Sequence, residues 1–399
     1  KQNEQAEVIK KSLHFTGDRY LANYVYNENL SQLQENKVPC TRMMNSLEIK
    51  LKKQNLLEQF NCQVKDFFNR GVISWITDIQ GLEGLQRSFI PLTYTLKKSP
   101  LDTTKLRLCG NSSFMVDKHS VSLNQCMVDG PAYLQSLEGL ILRWRCGQEV
   151  AHGDIRHCYH QILSSKKDIS LRRVLLRPDG MGGCQPWQEA AFQTISFGDQ
   201  LGGCSAQLAI SDCFTRFVPQ ETRKNMARGL YMDDILVCSI TKNNPVQKMI
   251  QEVDTALNRG HFQVKQWTKT GDKNPVKFFS YKYHPQSDTF SVCPRVNWSP
   301  RKRGARSAPD VTNIEQLYKH VKQFPLTKRN VASIVMGCLY DPLMIFSPFI
   351  MNLKIIYRDL TRILNEKGDN RWDVPVPQDI HDRVLKSLSY FFEMEDIQI

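Results

Sequence analysis

The feature that most constrains the fold of this chain is a pair of adjacent acids between two apolar runs. The segment reads Tyr231-Met232-Asp233-Asp234, followed by Ile235-Leu236-Val237-Cys238. Apolar, β-prone flanks around a short polar step predict two short strands joined by a tight turn, and Asp is a favoured turn residue. The sequence therefore predicts a hairpin with two carboxylates at its tip. A solvated turn with no further role is the alternative interpretation.

A third acid, Asp154, follows the largely apolar stretch 137–150 and precedes a mixed run with helical character. This placement predicts that Asp154 ends a strand beside the hairpin, so that three carboxylates converge. Adjacent carboxylates repel unless cations offset their charge. Mg²⁺ suits such a site because it takes oxygen ligands and completes its shell with water and phosphates. Two Mg²⁺ ions, with Mn²⁺ as a substitute, are the predicted cofactors, in the arrangement that serves phosphoryl displacement.

The charge balance indicates a polyanionic partner. Of the 399 residues, 53 are Lys or Arg and 40 are Asp or Glu, which gives a net charge of +13. Phosphate backbones attract such a surface without regard to nucleotide sequence. A basic protein without a nucleic-acid partner is the alternative. Three acids among so many basic residues favour a nucleic-acid channel around a metal site.

Cysteine spacing and hydropathy exclude several other classes. The 12 cysteines include no Cys-x-x-Cys pair, so neither a zinc ribbon nor a redox motif is predicted. A zinc site in the His- and Cys-containing segment 152–160 is a weaker alternative, because a second ligand pair at zinc spacing is missing. The apolar run after Val331 is interrupted by Asp341 and two prolines, so no membrane-spanning helix and no membrane partner are predicted.

Taken together, the motifs resemble a reverse transcriptase, and more narrowly the Bel-Pao family of long-terminal-repeat retrotransposons. Residues 231–234 are similar to motif C and the Asp154 segment to motif A. Further similar segments follow in family order: Thr104-Lys105-Leu106-Arg107-Leu108, Ser196-Phe197-Gly198 (motif B), Val264-Lys265-Gln266-Trp267 (motif D), Phe279-Ser280-Tyr281 (motif E) and Leu339-Tyr340-Asp341-Pro342-Leu343. The resemblance implies an α+β, right-hand polymerase with fingers, a palm whose antiparallel sheet packs on helices, and a helical thumb or connection.

The resemblance also implies a role for each residue of the acidic site. Asp154, Asp233 and, less directly, Asp234 would hold the two Mg²⁺ ions, with the backbone carbonyl of Ile155 as a further ligand. Tyr159 would lie beneath the incoming sugar and exclude a ribose 2′-hydroxyl by a clash. Ordinary packing in the palm is the alternative role for Tyr159.

Basic and small residues complete the implied substrate site. Arg107 and, as a weaker candidate, Lys105 would contact the triphosphate of a dNTP, although a solvated basic strand is the alternative. Lys265 would protonate the leaving pyrophosphate, with Lys269 as its competitor. In motif B, Phe197 and Gly198 would shape the floor under the new base pair, since glycine permits close backbone approach.

Three segments follow from the order of the motifs. Residues 1–136 are predicted to form the lead-in and fingers, 137–293 the palm with an interleaved fingers segment, and 294–399 the thumb and connection. Helical periodicity is predicted for 44–68 and 246–257. The basic stretch 294–309 is predicted to be a loop or linker, with duplex contact or nuclear import as its alternative roles.

The chain departs from the family pattern at three places. Gly110-Asn111-Ser112-Ser113 stands where Phe-Asp-Ala-Ser is usual, Gly202-Gly203-Cys204 where motif B ends in Ser-Pro, and Met344 where a glycine follows Leu-Tyr-Asp-Pro-Leu. These departures spare the acids. They bear on nucleotide positioning and rate more than on the existence of a reaction.

The expected function is RNA-directed DNA synthesis from dNTPs on an RNA or DNA template-primer. A chain that begins with Lys1 is expected to be part of a Pol polyprotein, with protease, RNase H and integrase encoded elsewhere in it. Cytoplasmic virus-like particles, with nuclear access, are the expected location. A decayed or co-opted element that binds nucleic acid without polymerising is the main alternative, and an RNA-templated RNA polymerase is disfavoured by Tyr159.

Overall fold

The computed structural model describes residues 2–96, 106–131, 133–226, 229–240, 244–279, 281–292, 296, 311–323, 325–337, 341–394 and 397–398. Lys105, and the predicted linker 294–309 except Val296, lie outside the described residues. The chain forms two compact units, Lys1–Trp267 and Thr268–Ile399. The three predicted segments were assigned by function, as fingers, palm and thumb. The division into two compact units does not test these assignments, so they stay predictions.

Helices and strands are interspersed along the first unit, whereas strands precede helices in the second. The α-helices are α1 Gln2–Lys11, α2 Lys37–Lys53, α3 Leu57–Asn69, α4 Leu123–Cys126, α5 Leu137–Arg145, α6 Lys166–Leu171, α7 Gly202–Phe217, α8 Gln220–Asn225, α9 Val246–Arg259, α10 Ile314–Gln323, α11 Lys328–Gly337, α12 Ser347–Glu366 and α13 Gln378–Glu393. The 3₁₀ turns are Glu28–Gln32, Ile76–Asp78 and Cys158–Gln161.

The strands are β1 Leu13–Phe15, β2 Tyr20–Ala22, β3 Ile73–Trp75, β4 Leu92–Leu96, β5 Leu106–Gly110, β6 Glu149–Ile155, β7 Leu163–Ser164, β8 Arg173–Leu176, β9 Gln188–Phe192, β10 Leu230–Tyr231, β11 Asp234–Ser239, β12 Val264–Lys269, β13 Val276–Phe278, β14 Tyr281–His284 and β15 Thr289–Val292. Within the described residues they form five small sheets, in which antiparallel pairs predominate. The fold is therefore α+β.

The predicted hairpin is present in a four-stranded sheet with the order β10-β11-β6-β12. β10 and β11 are antiparallel, with Tyr231 opposite Asp234. β11 also pairs antiparallel with β6, from Asp234 opposite Asp154 to Ser239 opposite Glu149. Residues 235–239 of β11 are all buried, which explains the unbroken apolar run after the two acids.

Helix α9 packs on β6 and β11, and α7 packs on α9. The helix predicted at 246–257 is thus confirmed. Its buried side chains recur at helical spacing and are Val246, Met249, Ile250, Val253, Ala256 and Leu257. Burying a large aliphatic side chain contributes roughly 1.5–3 kcal/mol, so this face, more than helix propensity, holds α9 against the sheet.

A glycine permits the close approach of β12 to β6. A Cβ added to Gly153 would lie 2.8 Å from Cγ1 of Val264 and 2.9 Å from Cε3 of Trp267. The Trp267 indole N–H donates to Oδ1 of Asp254, in α9, at 2.9 Å. The motif D segment is therefore held beside the strand that carries Asp154.

One local helix prediction is confirmed with an interruption, and another was wrong. The helix predicted over 44–68 is divided into α2 and α3, and Asn55 between them has a left-handed φ of 54°. After Asp154, where a helical run was predicted, the chain forms only the 3₁₀ turn Cys158–Gln161. His157 precedes that turn with a left-handed φ of 50°, a conformation that an α-helix cannot continue through.

In the unit Thr268–Ile399, an antiparallel sheet of β13, β14 and β15 precedes the helices α10, α11, α12 and α13 of its described part. Asp341 organises the turn before α12, because its carboxylate accepts the Tyr281 hydroxyl at 2.6 Å and the Phe346 N–H at 2.7 Å. The motif E segment thus contacts the Asp-Pro-Leu segment. None of the helices in the described residues combines the length and apolar composition of a membrane span.

Candidate active site

The structure brings the three predicted acids together at one end of the four-stranded sheet. Asp154 lies opposite Asp234 in the β6–β11 register. Asp233 occupies the hairpin turn, where its carbonyl accepts the Ile155 N–H at 2.9 Å. Met232, the first turn residue, has a left-handed φ of 57°. Backbone hydrogen bonds, and not loop flexibility, therefore set where the acids lie.

Burial and neighbouring negative charge raise the pKa of Asp154 and of Asp233. The pKa of Asp233 is raised to about 6, first by burial and then by the charges of Asp234 and Asp154. Burial and Asp234 also raise the pKa of Asp154, against the opposing effects of Lys265, His152 and Arg107. Burial and mutual repulsion disfavour the ionised form of these carboxylates. Cations bound beside them would stabilise that form.

Asp234 differs from the other two acids because a histidine on the neighbouring strand contacts it. Oδ1 of Asp234 lies 2.6 Å from Nε2 of His152. The contact orients that carboxylate toward β6. The less direct metal role that the resemblance implied for Asp234 stays a prediction.

Asp154 and Asp233 line a cavity of about 580 Å³. Predicted site residues that share it are Arg107, Ile155, Phe197 and Lys265. The remaining charged and imidazole side chains of its wall are Asp66, Arg70, Arg156, His157 and His160. The cavity therefore combines carboxylates with four cationic side chains, Arg70, Arg107, Arg156 and Lys265.

The carboxylates of the cavity fit an Mg²⁺ ion whose coordination shell is completed by water and by the phosphates of a substrate. Among the described residues, no group of three or more His, Cys, Asp or Glu side chains could hold a metal ion by itself. Mg²⁺ is commonly bound by only one or two carboxylates together with water and phosphates. Asp154 and Asp233 share the cavity and offer such a pair. For the described residues, a zinc site in 152–160 gains no support.

Tyr159 and Phe197 are in ring contact, with centroids 4.3 Å apart. Burial raises the pKa of Tyr159 to about 12, so its hydroxyl stays neutral. A Cβ added to Gly202 would lie 3.5 Å from Cδ1 of Tyr159, and one added to Gly203 would lie 3.5 Å from its hydroxyl. The Gly202-Gly203 departure therefore leaves room beside the predicted sugar gate.

Gly198 requires glycine. Its φ is +104°, and an added Cβ would lie 2.5 Å from the Gly110 carbonyl oxygen. Both the left-handed backbone and the close approach exclude a side chain. The close approach observed here is to the backbone of β5. The approach to a new base pair, which the resemblance implied for this residue, stays a prediction.

Arg70 was not among the predicted site residues, although it lines the cavity. Its guanidinium forms an ion pair with Asp66 at 2.6 Å and lies 3.2 Å from Nδ1 of His160. Burial, and then the charge of Arg70, lower the pKa of His160 to about 3. Because α3 precedes motif A by some 85 residues of chain, no local pattern could have joined Arg70 to the cavity.

Known proteins add one finding about the second unit. Residues 327–399 match a family model described as the Pao retrotransposon-like RNaseH-like domain. This match supports a relation of the chain to Bel-Pao retrotransposon Pol proteins. No curated protein matches the chain. The matched segment, for which a thumb or connection was predicted, does not include the acids of the cavity.

Proposed function

We propose that this chain is the reverse transcriptase portion of a Bel-Pao Pol polyprotein and extends a primer with dNTPs on an RNA or DNA template. The observation that carries the proposal is the cavity in which Asp154 and Asp233 face a basic wall that includes Arg107 and Lys265. Carboxylates that disfavour their own charge, set beside cationic side chains, suit a metal-bound triphosphate.

Each residue of the site has a separate task in this proposal. Asp154 and Asp233, with Asp234 less directly, would hold two Mg²⁺ ions, which when bound stabilise the attacking and leaving oxygens. Arg107 orients the triphosphate through paired hydrogen bonds, and Lys265 supplies a proton to the pyrophosphate. Lys105 is outside the described residues, and its triphosphate contact remains a prediction.

The sugar and the base pair meet the aromatic side of the site. Tyr159 excludes the ribose 2′-hydroxyl by a clash, which favours dNTPs. Phe197 and Gly198 form the floor beneath the new base pair. The contact between the Tyr159 and Phe197 rings supports a single surface made by both.

Primer extension by the purified chain on an RNA template, with dNTPs and Mg²⁺, tests the proposal. The Asp233→Asn/Asp234→Asn variant is expected to bind template-primer and to make no product. Glu35→Gln, in an exposed ion pair with Arg87, is the matched control and should extend the primer as the wild type does. Extension that survives in the double variant contradicts the proposal.

A non-catalytic, co-opted element is the second candidate, and the contact between His152 and Asp234 favours it. A carboxylate held at 2.6 Å by an imidazole is less free to serve a metal ion. Tight template-primer binding by the wild type, without extension in Mg²⁺ or Mn²⁺, would select this candidate.

An RNase H-like nuclease in 327–399 is suggested by the description of the matched model. Within the described part of that segment, the secondary structure consists of α11, α12 and α13 without a sheet strand. Three of its acids, Asp359, Asp369 and Asp373, form ion pairs with arginines. Degradation of the RNA strand of an RNA–DNA hybrid, lost in Asp369→Asn, would support a nuclease.

A further inference from the structure

The turn that carries Phe197 and Gly198 is held from its open side by one amide side chain. Nδ2 of Asn124, in α4, donates to the Gly198 carbonyl at 2.7 Å. Oδ1 of the same side chain accepts the Gln200 N–H at 2.9 Å. Asn124 therefore uses both ends of its amide on main-chain atoms on the C-terminal side of Phe197.

From the buried side, the same turn is held by the carboxylate of Asp199. It accepts the Ser112 hydroxyl at 2.6 Å, a guanidinium N–H of Arg172 at 2.8 Å, the Tyr24 hydroxyl at 3.0 Å and the Ser196 N–H at 3.2 Å. The side chains of Asp199 and Arg172 have no exposed surface. The Ser196 N–H, on the N-terminal side of Phe197, is thus tied to a fixed buried charge.

Phe197 itself is not held by burial. It is 41% exposed, lines the cavity, and contacts the rings of Tyr159 at 4.3 Å and His160 at 5.8 Å. An exposed ring keeps one position only when its backbone is fixed. The Asn124 and Asp199 contacts on either side of Phe197 therefore decide how firmly it lies against Tyr159.

We propose that Asn124 and Asp199 are positioning residues that fix the turn 196–200, and that through Phe197 they set how strictly Tyr159 excludes ribonucleotides. The selectivity part of this inference rests on the polymerase function proposed above. The positioning part rests only on the hydrogen bonds. Neither residue touches the reacting atoms.

Asn124→Ala is the main test, because its side chain is only partly buried and its loss spares the core. The expected result is faster hydrogen exchange of the Gln200 amide and a ratio of dNTP to rNTP incorporation reduced about fivefold, the factor that one ordinary hydrogen bond corresponds to. Asn29→Ala is the matched control. Asn29 donates to the Gln125 carbonyl of the same helix at 3.1 Å. Within the described part of the chain it forms no hydrogen bond with residues 196–200, so its substitution should change neither quantity.

Asp199→Asn tests the buried side and should speed exchange of the Ser196 amide. Exchange and selectivity that both match the wild type in Asn124→Ala would overturn the proposal. Faster exchange with an unchanged dNTP to rNTP ratio would overturn the selectivity part. A wild type that makes no product refutes the proposed polymerase function, whereas protection of the Gln200 and Ser196 amides still decides whether the two side chains position the turn.

Discussion

Two pairs of acids in the first unit differ in the hydrogen-bond and ion-pair partners that the protein supplies to their carboxylates. Asp168 and Asp199 are buried, and each accepts at least three hydrogen bonds. Arg172 adds a full opposite charge, paired with Asp199 at 2.8 Å. Asp154 and Asp233, by contrast, form no ion pair with a Lys or Arg among the described residues, and the pKa of each is raised.

The comparison separates two uses of the same residue type. A buried carboxylate that its own fold fully satisfies ties segments together, as Asp199 joins the motif B turn to Ser112, Tyr24 and Arg172. Carboxylates left without cationic partners cost stability, and perturbed pKa values of this kind cluster at functional sites. The first pair should therefore govern folding, and the second should govern activity.

The largest expected effect comes from a substitution in the pair that lines the cavity, Asp154 and Asp233. Asp233→Asn should reduce primer extension on the order of 10³-fold or more, because several kcal/mol of metal-dependent charge stabilisation would be lost. Its free energy of unfolding should stay unchanged or rise, since carboxylate repulsion is relieved. Single-turnover extension and urea denaturation measure the two quantities. A variant that unfolds more easily would show that Asp233 also has a structural role.

The next largest effect comes from a substitution in the buried pair, Asp168 and Asp199. Asp199→Asn should lower the free energy of unfolding by roughly 3–5 kcal/mol, because it leaves the Arg172 guanidinium buried without its counter-charge. Urea denaturation followed by circular dichroism checks this value. A loss below about 1 kcal/mol, the size expected of an exposed pair, would mean that Arg172 is satisfied by its other acceptors.

A pH dependence sharpens the comparison at the edge of the cavity. The pKa of His160 is about 3 in the folded chain, below the ordinary value near 6.5. The unfolded chain therefore binds more protons between these values, and stability should fall as pH decreases from about 6.5 toward 3. Denaturation at a series of pH values should give a shallower slope in His160→Asn. Equal slopes would mean that His160 is protonated in the fold.

The smallest effect belongs to an exposed pair. Glu35 and Arg87 lie 2.8 Å apart with side-chain exposures of 41% and 47%. Glu35→Gln should change the free energy of unfolding by less than about 0.5 kcal/mol. The same denaturation assay measures it beside Asp199→Asn. A loss comparable to that of Asp199→Asn would remove burial as the reason for the difference between the pairs.

Local patterns predicted the parts of the fold that depend on neighbouring residues. The hairpin at 231–239 and helix α9 follow from apolar periodicity, and both are present. The division of 44–68 at Asn55 and the short turn after His157 were missed. In both places a single left-handed residue interrupts the helix, and apolar periodicity carries no signal for such a residue.

The sequence by itself determined the acids, their placement on a hairpin and a strand end, and the basic character of the chain, because these depend on residue type and short-range pattern. Only the tertiary structure decided which charged side chains have a partner of opposite charge or a hydrogen-bond partner. Arg172 lies beside Asp199, His152 beside Asp234, and Arg70 in the wall of the cavity. Arg172 and Asp199 are 27 positions apart in the sequence, and His152 and Asp234 are 82 positions apart. These pairings arise from strand register and helix packing, which bring distant side chains within hydrogen-bonding distance.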